Sequence, residues 1–185
     1  MRHLRHLRLL SLALLPACAT TSTSSSAPAS GRPATQTIGG GGIGSMTVST
    51  TSSADVSHMA YAPDVVFRVL PSVFDSVGIP VTTLDPAHKS IGNGGYKIRQ
   101  RLGKVSLSRY LDCGNTQIGP NADSYDVFLI VMTTVAPEGK SGASLTTVVD
   151  AQARPATFNQ AYSRCTSKGG IEVRIADLVT ARLTR

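Results

Sequence analysis

Residues 144–154 alternate without a break. Leu145, Thr147, Val149, Ala151 and Ala153 fall on one side of an extended chain, and Thr146, Val148, Asp150, Gln152 and Arg154 fall on the other. A period of two over this length excludes a helix and requires a partner strand for the backbone donors and acceptors. Residues 125–135 supply one, being rich in β-branched and aromatic side chains. Both parities of that segment are apolar, with Val127, Leu129 and Val131 set against Phe128, Ile130 and Met132. A sheet with helices on one side alone leaves one of these sets exposed, so something must cover it. The rest of the chain is the simplest cover, with an oligomer partner or a ligand as the alternatives.

The other elements fit around this pair. Residues 46–51 alternate apolar and small polar side chains and predict a first strand. Ala62-Pro63-Asp64 opens a helix, since proline is tolerated in the first turn and an acid suits the positive end of the dipole. Val65, Val66, Val69, Leu70, Val73, Phe74 and Val77 form its apolar stripe; Pro71 interrupts the hydrogen bonding or kinks it, and Gly78-Ile79-Pro80 stops it. Short strands are expected over 81–84, 96–102 and 105–111. Gly92-Asn93-Gly94-Gly95 reads as a turn, Gly103-Lys104 as a two-residue hairpin connection, and 137–142 as a loop. Residues 170–183 predict a closing helix with Ile171, Ile175, Leu178 and Val179 inward. The fold class is α+β, an antiparallel sheet of about five strands with an N-terminal and a C-terminal helix packed on it.

The first 45 residues are of another kind. Three arginines and no acid precede a short apolar run over 9–15, broken only by Ser11. That run falls well short of the roughly 20 residues a membrane-spanning helix requires. A basic start, a short apolar stretch and then small residues form the pattern of a signal peptide over residues 1–17. Leu15-Pro16-Ala17-Cys18 resembles the bacterial lipobox, which implies cleavage before Cys18, a lipid on its thiol and a membrane anchor. Ala17-Cys18-Ala19 also meets the small-x-small rule of ordinary cleavage, which would release a secreted periplasmic protein without lipid. Ala19 after the cysteine resembles lipoproteins sent to an outer membrane, facing the periplasm. Residues 18–45 hold Ser, Thr, Ala, Pro and Gly with one charge, Arg32, too little apolar surface to offset ordering entropy. They read as a disordered tether of roughly 30 Å, leaving one folded domain over 46–185.

Processing also changes the charge. The formal net charge of +7 falls to +4 once Arg2, Arg5 and Arg8 are removed, so the basic balance gives no support to a nucleic-acid partner. Three cysteines occur, Cys18, Cys113 and Cys165. With Cys18 lipidated, Cys113–Cys165 is the one intrachain pairing left in an oxidising compartment. Free thiols or half of a metal site are the alternatives. The latter finds little support in His58 and His88, which are remote in sequence from either cysteine.

Chemistry is sparse. Gly139-Lys140-Ser141 follows a strong strand, but Thr134 stands where a phosphate-binding loop needs glycine and a strand follows where it needs a helix. No Gly-x-Ser-x-Gly elbow occurs. Asp112, Asp123 and Asp126 lack calcium-loop spacing and fit loop solvation better. Glu138 and Glu172 are the only glutamates. No metal or cofactor is expected. One stripe stands out: Lys97, Arg99 and Arg101 alternate with Ile98, Gln100 and Leu102, with Lys104 and Arg109 nearby and no acid between Asp85 and Asp112. It reads as a solvated strand face whose charges discourage edge pairing, or as an anion-binding surface for lipid, glycan or an acidic protein segment.

The order helix, strands, helix behind a lipobox resembles the helix-grip domains of small bacterial outer-membrane lipoproteins of the BamC-like kind. The likeness implies a structural or interaction role, and no functional residue is carried over from it. The expectation is a non-enzymatic envelope lipoprotein, held at the membrane through Cys18 and acting as a tethered interaction or scaffold module for an envelope protein. A carrier of an anionic lipid or glycan is the alternative.

Overall fold

The computed structural model describes residues 35–38, 46–49, 54–157 and 159–185. The signal peptide, Cys18 and most of the tether lie outside them. Strands β1 (Thr35–Ile38) and β2 (Met46–Ser49) form a two-stranded antiparallel ladder, with Thr35 opposite Ser49 and Ile38 opposite Met46. The strand expected from Met46 is thus present, but it pairs with four residues of the expected tether rather than with the main sheet. The first strand of that sheet is β3 (Asp55–Met59).

Helix α1 (Pro63–Val77) follows, then β4 (Thr83–Asp85), β5 (Ser90–Arg99), and the short β6 (Arg101–Leu102) and β7 (Val105–Ser106). Next come β8 (Leu111–Asp112), β9 (Asn115–Thr116), β10 (Gly119–Pro120) and the one-turn α2 (Asn121–Ser124). Two long strands, β11 (Asp126–Glu138) and β12 (Gly142–Arg154), then β13 (Ser163–Ser167) and α3 (Gly170–Leu183), complete the chain. The seven-stranded sheet runs β4-β5-β11-β12-β13-β8, and β3 also pairs with β12. The fold is therefore α+β and antiparallel as expected, with more strands than five. The outer edge of β12 is shared: Ala143–Thr147 pairs with β3, and Ala151–Ala153 pairs with β13.

One sheet face makes the core. Val127, Leu129, Val131 and Val135 of β11 and Leu145, Val149, Ala151 and Ala153 of β12 are buried under the helices. Helix α1 adds Val66, Leu70, Val73, Phe74 and Val77, and α3 adds Ile171, Ile175 and Val179. Thr133 and Thr147 stand opposite each other in this core, and their hydroxyls bond at 3.0 Å, so neither is left unsatisfied. Helix α1 runs unbroken through Pro71, which lies exposed. Its end is set by Gly78 at φ +88°, where the N–H groups of Gly78 and Ile79 both reach Phe74 O. Arg182 of α3 donates to the hydroxyls of Ser72 and Ser76, tying the two helices together.

The expected turn at 92–95 is instead the middle of β5. Val131 faces Asn93 and Leu129 faces Tyr96, so Gly94 and Gly95 together oppose Ile130 alone. This is a β-bulge, and Asn93 pins it. Its Nδ2 donates to Pro80 O at 2.6 Å, and its Oδ1 accepts from the Gly95 N–H at 2.9 Å. The glycines serve close approach. A Cβ on Gly95 would lie 2.3 Å from the Phe128 ring, and one on Gly92 would lie 2.1 Å from Val131 O. Two other expectations are revised. Gly103-Lys104 does connect a hairpin, but only of two-residue strands, and Leu107–Arg109 forms a 3-10 turn where strand was expected. The loop over 137–142 shrinks to three residues, because Glu138 still pairs with Gly142.

Gly92→Ala should lower unfolding free energy by about 1–3 kcal/mol, because the methyl group meets backbone that cannot move aside. Gly94→Ala, with nothing within 4 Å of the added Cβ, should be nearly neutral. Urea denaturation of both variants checks this, and equal losses would remove the close-approach account of these glycines.

Candidate binding face and cleft

The second sheet face is built by the opposite parity of β11 and β12. Register places Arg99, Asp126 and Arg154 in one cross-strand row, Lys97, Phe128 and Gln152 in the next, then Ile130 with Asp150, then Gly92, Met132 and Val148. Phe128, Ile130, Met132 and Val148 are half-buried. Helices α1 and α3 pack on the other face, and no described helix covers this one. Among the described residues Phe128 lies over Gly95 and Met132 over Gly92, so these side chains shelter on the neighbouring strand.

The basic stripe is divided. Lys97 and Arg99 share this face, and both turn to Asp126, with Arg99 Nε at 2.9 Å and Lys97 Nζ at 3.7 Å. Gln100 adopts φ +62°, which breaks the alternation before the third charge. Arg101 and Lys104 therefore sit on the β6–β7 hairpin, and Arg109 sits in the 3-10 turn. The row gains instead a residue from across the sheet. Arg154 stands opposite Asp126, and its guanidinium lies 4.7 Å from the Tyr162 ring centroid. Arg164 of β13 pairs with Gln152 and so belongs to the same face. Two cations, Lys97 and Arg99, thus hold one carboxylate, and Arg154, opposite it in the ladder, turns to Asn159 and Tyr162. The parity of Arg154 was readable from the alternation of 144–154. Arg164 carried no signal, because Ser-Arg-Cys-Thr-Ser has no strand pattern.

A cleft of about 710 Å³ opens at this cationic end, between residues 116–118, 124 and 125 on one side and residues 155–157 and 160 on the other. Arg99, Thr116, Ile118, Tyr125, Pro155 and Gln160 are among its lining residues. Ile118 is 88% exposed, the most exposed large apolar side chain among the described residues. The wall that carries Thr116 and Ile118 is anchored at its base. Cys113 is bonded to Cys165, so the expected disulfide is present, with the Cα atoms 4.2 Å apart. Asn121 Nδ2 donates to Cys113 O, and the Asn121 N–H donates to Gly114 O.

The acids considered for calcium serve the backbone or the cations. Asp112 Oδ1 accepts from the Gly114 N–H, and Asp123 accepts from the N–H and hydroxyl of Ser108. Asp126 holds Lys97 and Arg99. Among the described residues no group of three His, Cys, Asp or Glu side chains is placed to hold a metal. The two described histidines bond separate carboxylates, His58 with Glu138 and His88 with Asp85, each at 2.7 Å. The His88 bond lowers the Asp85 carboxyl below its ordinary value. Both histidine side chains are mostly exposed, at 72% and 82%, and lie outside the cleft.

Among the described residues the Tyr96 hydroxyl, Asn121 Oδ1 and one Glu172 oxygen are buried without a hydrogen-bond partner. Burial raises the Tyr96 pKa to about 12. Glu172, in the first turn of α3, is only 2% exposed. Ser167 Oγ donates to its Oε1 at 2.7 Å and accepts from the Gly169 N–H, while Oε2 has no partner. Burial raises the Glu172 carboxyl above its ordinary range, and the charge of Asp55 adds to this.

Comparison with protein-family models finds no match for this chain, and no curated protein matches it. The fold and the site therefore rest on their own geometry.

Burial makes the folded chain hold the Glu172 proton more tightly than the unfolded chain does. Its contribution to stability is fully present below the ordinary glutamate value and is lost as pH rises through the higher folded value. Glu172→Gln should match the parent at acid pH and exceed it by about 1 kcal/mol near neutrality. Melting curves across that window test the sign, and a variant less stable at neutral pH would reject it. Cys113→Ser with Cys165→Ser opens a loop of 52 residues. The double variant should lose roughly 2–4 kcal/mol in denaturation experiments.

Proposed function

We propose that this protein is a non-enzymatic, exported module, held at an envelope membrane through lipid on Cys18, that binds an envelope partner with its helix-free sheet face. The observation carrying this reading is the composition of that face. A half-buried apolar centre of Phe128, Ile130, Met132 and Val148 adjoins Lys97 and Arg99, which share the Asp126 carboxylate, and Arg154, which stands opposite Asp126 in the ladder. Apolar surface gives affinity, and the charges at one end give orientation and partner choice. The helix-strands-helix order resembling helix-grip lipoproteins agrees with an interaction role. Export is supported by the arginine-rich start and short apolar run, and anchoring by Leu15-Pro16-Ala17-Cys18. Among the described residues no helix is long and apolar enough to cross a membrane.

The cleft favours a second reading, a carrier for an anionic lipid or glycan. A lipid-free periplasmic form is the alternative for the anchor.

Two measurements test the proposal. A photo-reactive residue at Ile130 or Val148, in the protein made by its own host, should give one discrete protein adduct. The same group at Arg174, on the exposed side of α3, should give none. Adducts of the same kind from all three positions would reject the face. Intact mass should show cleavage before Cys18 and a diacylglyceryl group, and a lipid-free chain starting beyond Ala19 would reject the anchor.

A further inference from the structure

We infer that the cleft at the cationic end of the sheet binds a monomeric anionic amphiphile, with Arg99 meeting the anionic head and Ile118 lying along the apolar chain. The inference rests on the reading of this face as a binding surface and commits the cleft to one class of ligand.

Charge complementarity fixes the head. Asp126 is the carboxylate shared by Lys97 and Arg99, and Arg154 faces it across the sheet. The row thus keeps a cationic excess, and Arg99 is the member that lines the cleft. An acceptor placed there can use guanidinium N–H groups other than the Nε–H that engages Asp126. Thr116, Ser124 and Gln160 add polar groups to the lining.

The walls fix the rest of the molecule. Ile118, Tyr125, Pro155 and Ala156 present apolar surface to the same cleft. Ile118 stands at 88% exposure on a wall held by the disulfide at Cys113. A simple inorganic anion would leave that apolar surface in water, and a neutral chain would leave the cationic excess unanswered. A flat bilayer reaches the rim of a concavity but not its floor. A single chain carrying a phosphate or carboxylate meets both halves of the lining, and its volume suits a cleft of about 710 Å³.

The test uses the full chain carrying Cys18→Ser, so that no anchor competes, with the Cys113–Cys165 bond intact. Dodecyl phosphate, kept below its micelle concentration, is titrated by calorimetry. Saturable one-to-one binding that weakens as salt is raised is expected. Dodecyl maltoside should bind at least about tenfold more weakly, and inorganic phosphate should bind still less. Arg99→Gln and Ile118→Ser should each weaken dodecyl phosphate by about tenfold. Ile118→Ser changes an exposed side chain, so it tests the site even where Arg99→Gln perturbs folding. Equal binding of the neutral and anionic chains, equal binding of inorganic phosphate, or affinity unchanged in Ile118→Ser overturns the inference. So does binding to phosphatidylglycerol vesicles without binding of the monomer, which would mark a lipid surface instead. Failure here, with the Ile130 and Val148 adducts intact, removes the ligand and leaves the partner face standing.

Discussion

The β11–β12 pairing is the constraint on which the rest of the structure depends. It runs in register from Asp126 opposite Arg154 to Glu138 opposite Gly142 without a slip. A period of two makes that register decisive, because a shift of one residue would send Leu145, Val149 and Ala151 to the wrong face. The fixed register puts Thr133 against Thr147 so that two buried hydroxyls satisfy each other. It also sets Asp126 beside Arg99 and Arg154 on the far face. The core and the candidate site are thus two consequences of one ladder, read from its opposite sides.

This ladder was also the most legible part of the sequence, for a physical reason. Long strands average their pattern over many residues, and the alternation of 144–154 matches the observed burial of β12 position by position. Helices α1 and α3 were legible for the same reason, with Gly78 and Pro63 marking the limits of α1. The short strands were not. β3 and β13 carry polar sequences, Asp-Val-Ser-His-Met and Ser-Arg-Cys-Thr-Ser. They become strands because the outer edge of β12 offers unpaired backbone groups, which is a tertiary cause. The glycines of β5 misled in the other direction. Local propensity reads Gly-Asn-Gly-Gly as a turn, whereas the neighbouring Phe128 and Met132 need a strand without side chains on that face.

The candidate site was half legible. Lys97 and Arg99 were found by alternation, and they do share a face. Arg101 was placed with them by the same alternation, which the left-handed Gln100 undoes, and Lys104 and Arg109 were grouped by sequence proximity alone. What sequence could not show is the acid. No carboxylate lies between Asp85 and Asp112, so the stripe looked uncompensated. Asp126 arrives from the next strand and takes up two of its charges. Cysteine arithmetic did better than charge counting, because Cys113 has one partner in the folded domain, whereas a cation can meet any acid the sheet brings near.

A helix-free apolar face is ordinarily an aggregation hazard, and here three devices reduce it. The bulge at Gly94 and Gly95 twists β5 locally. Phe128 and Met132 lie down over glycines, which removes apolar area from water. Charged side chains at the cationic end oppose unselective stacking of one sheet on another. The devices do not close the face, however. Ile130 and Val148 keep partial exposure in the rows between, beside Asp150. Both are β-branched and half-buried, which suits a strand position, so the proposed partner would meet apolar surface on the same sheet face as the charged row of Arg99, Asp126 and Arg154.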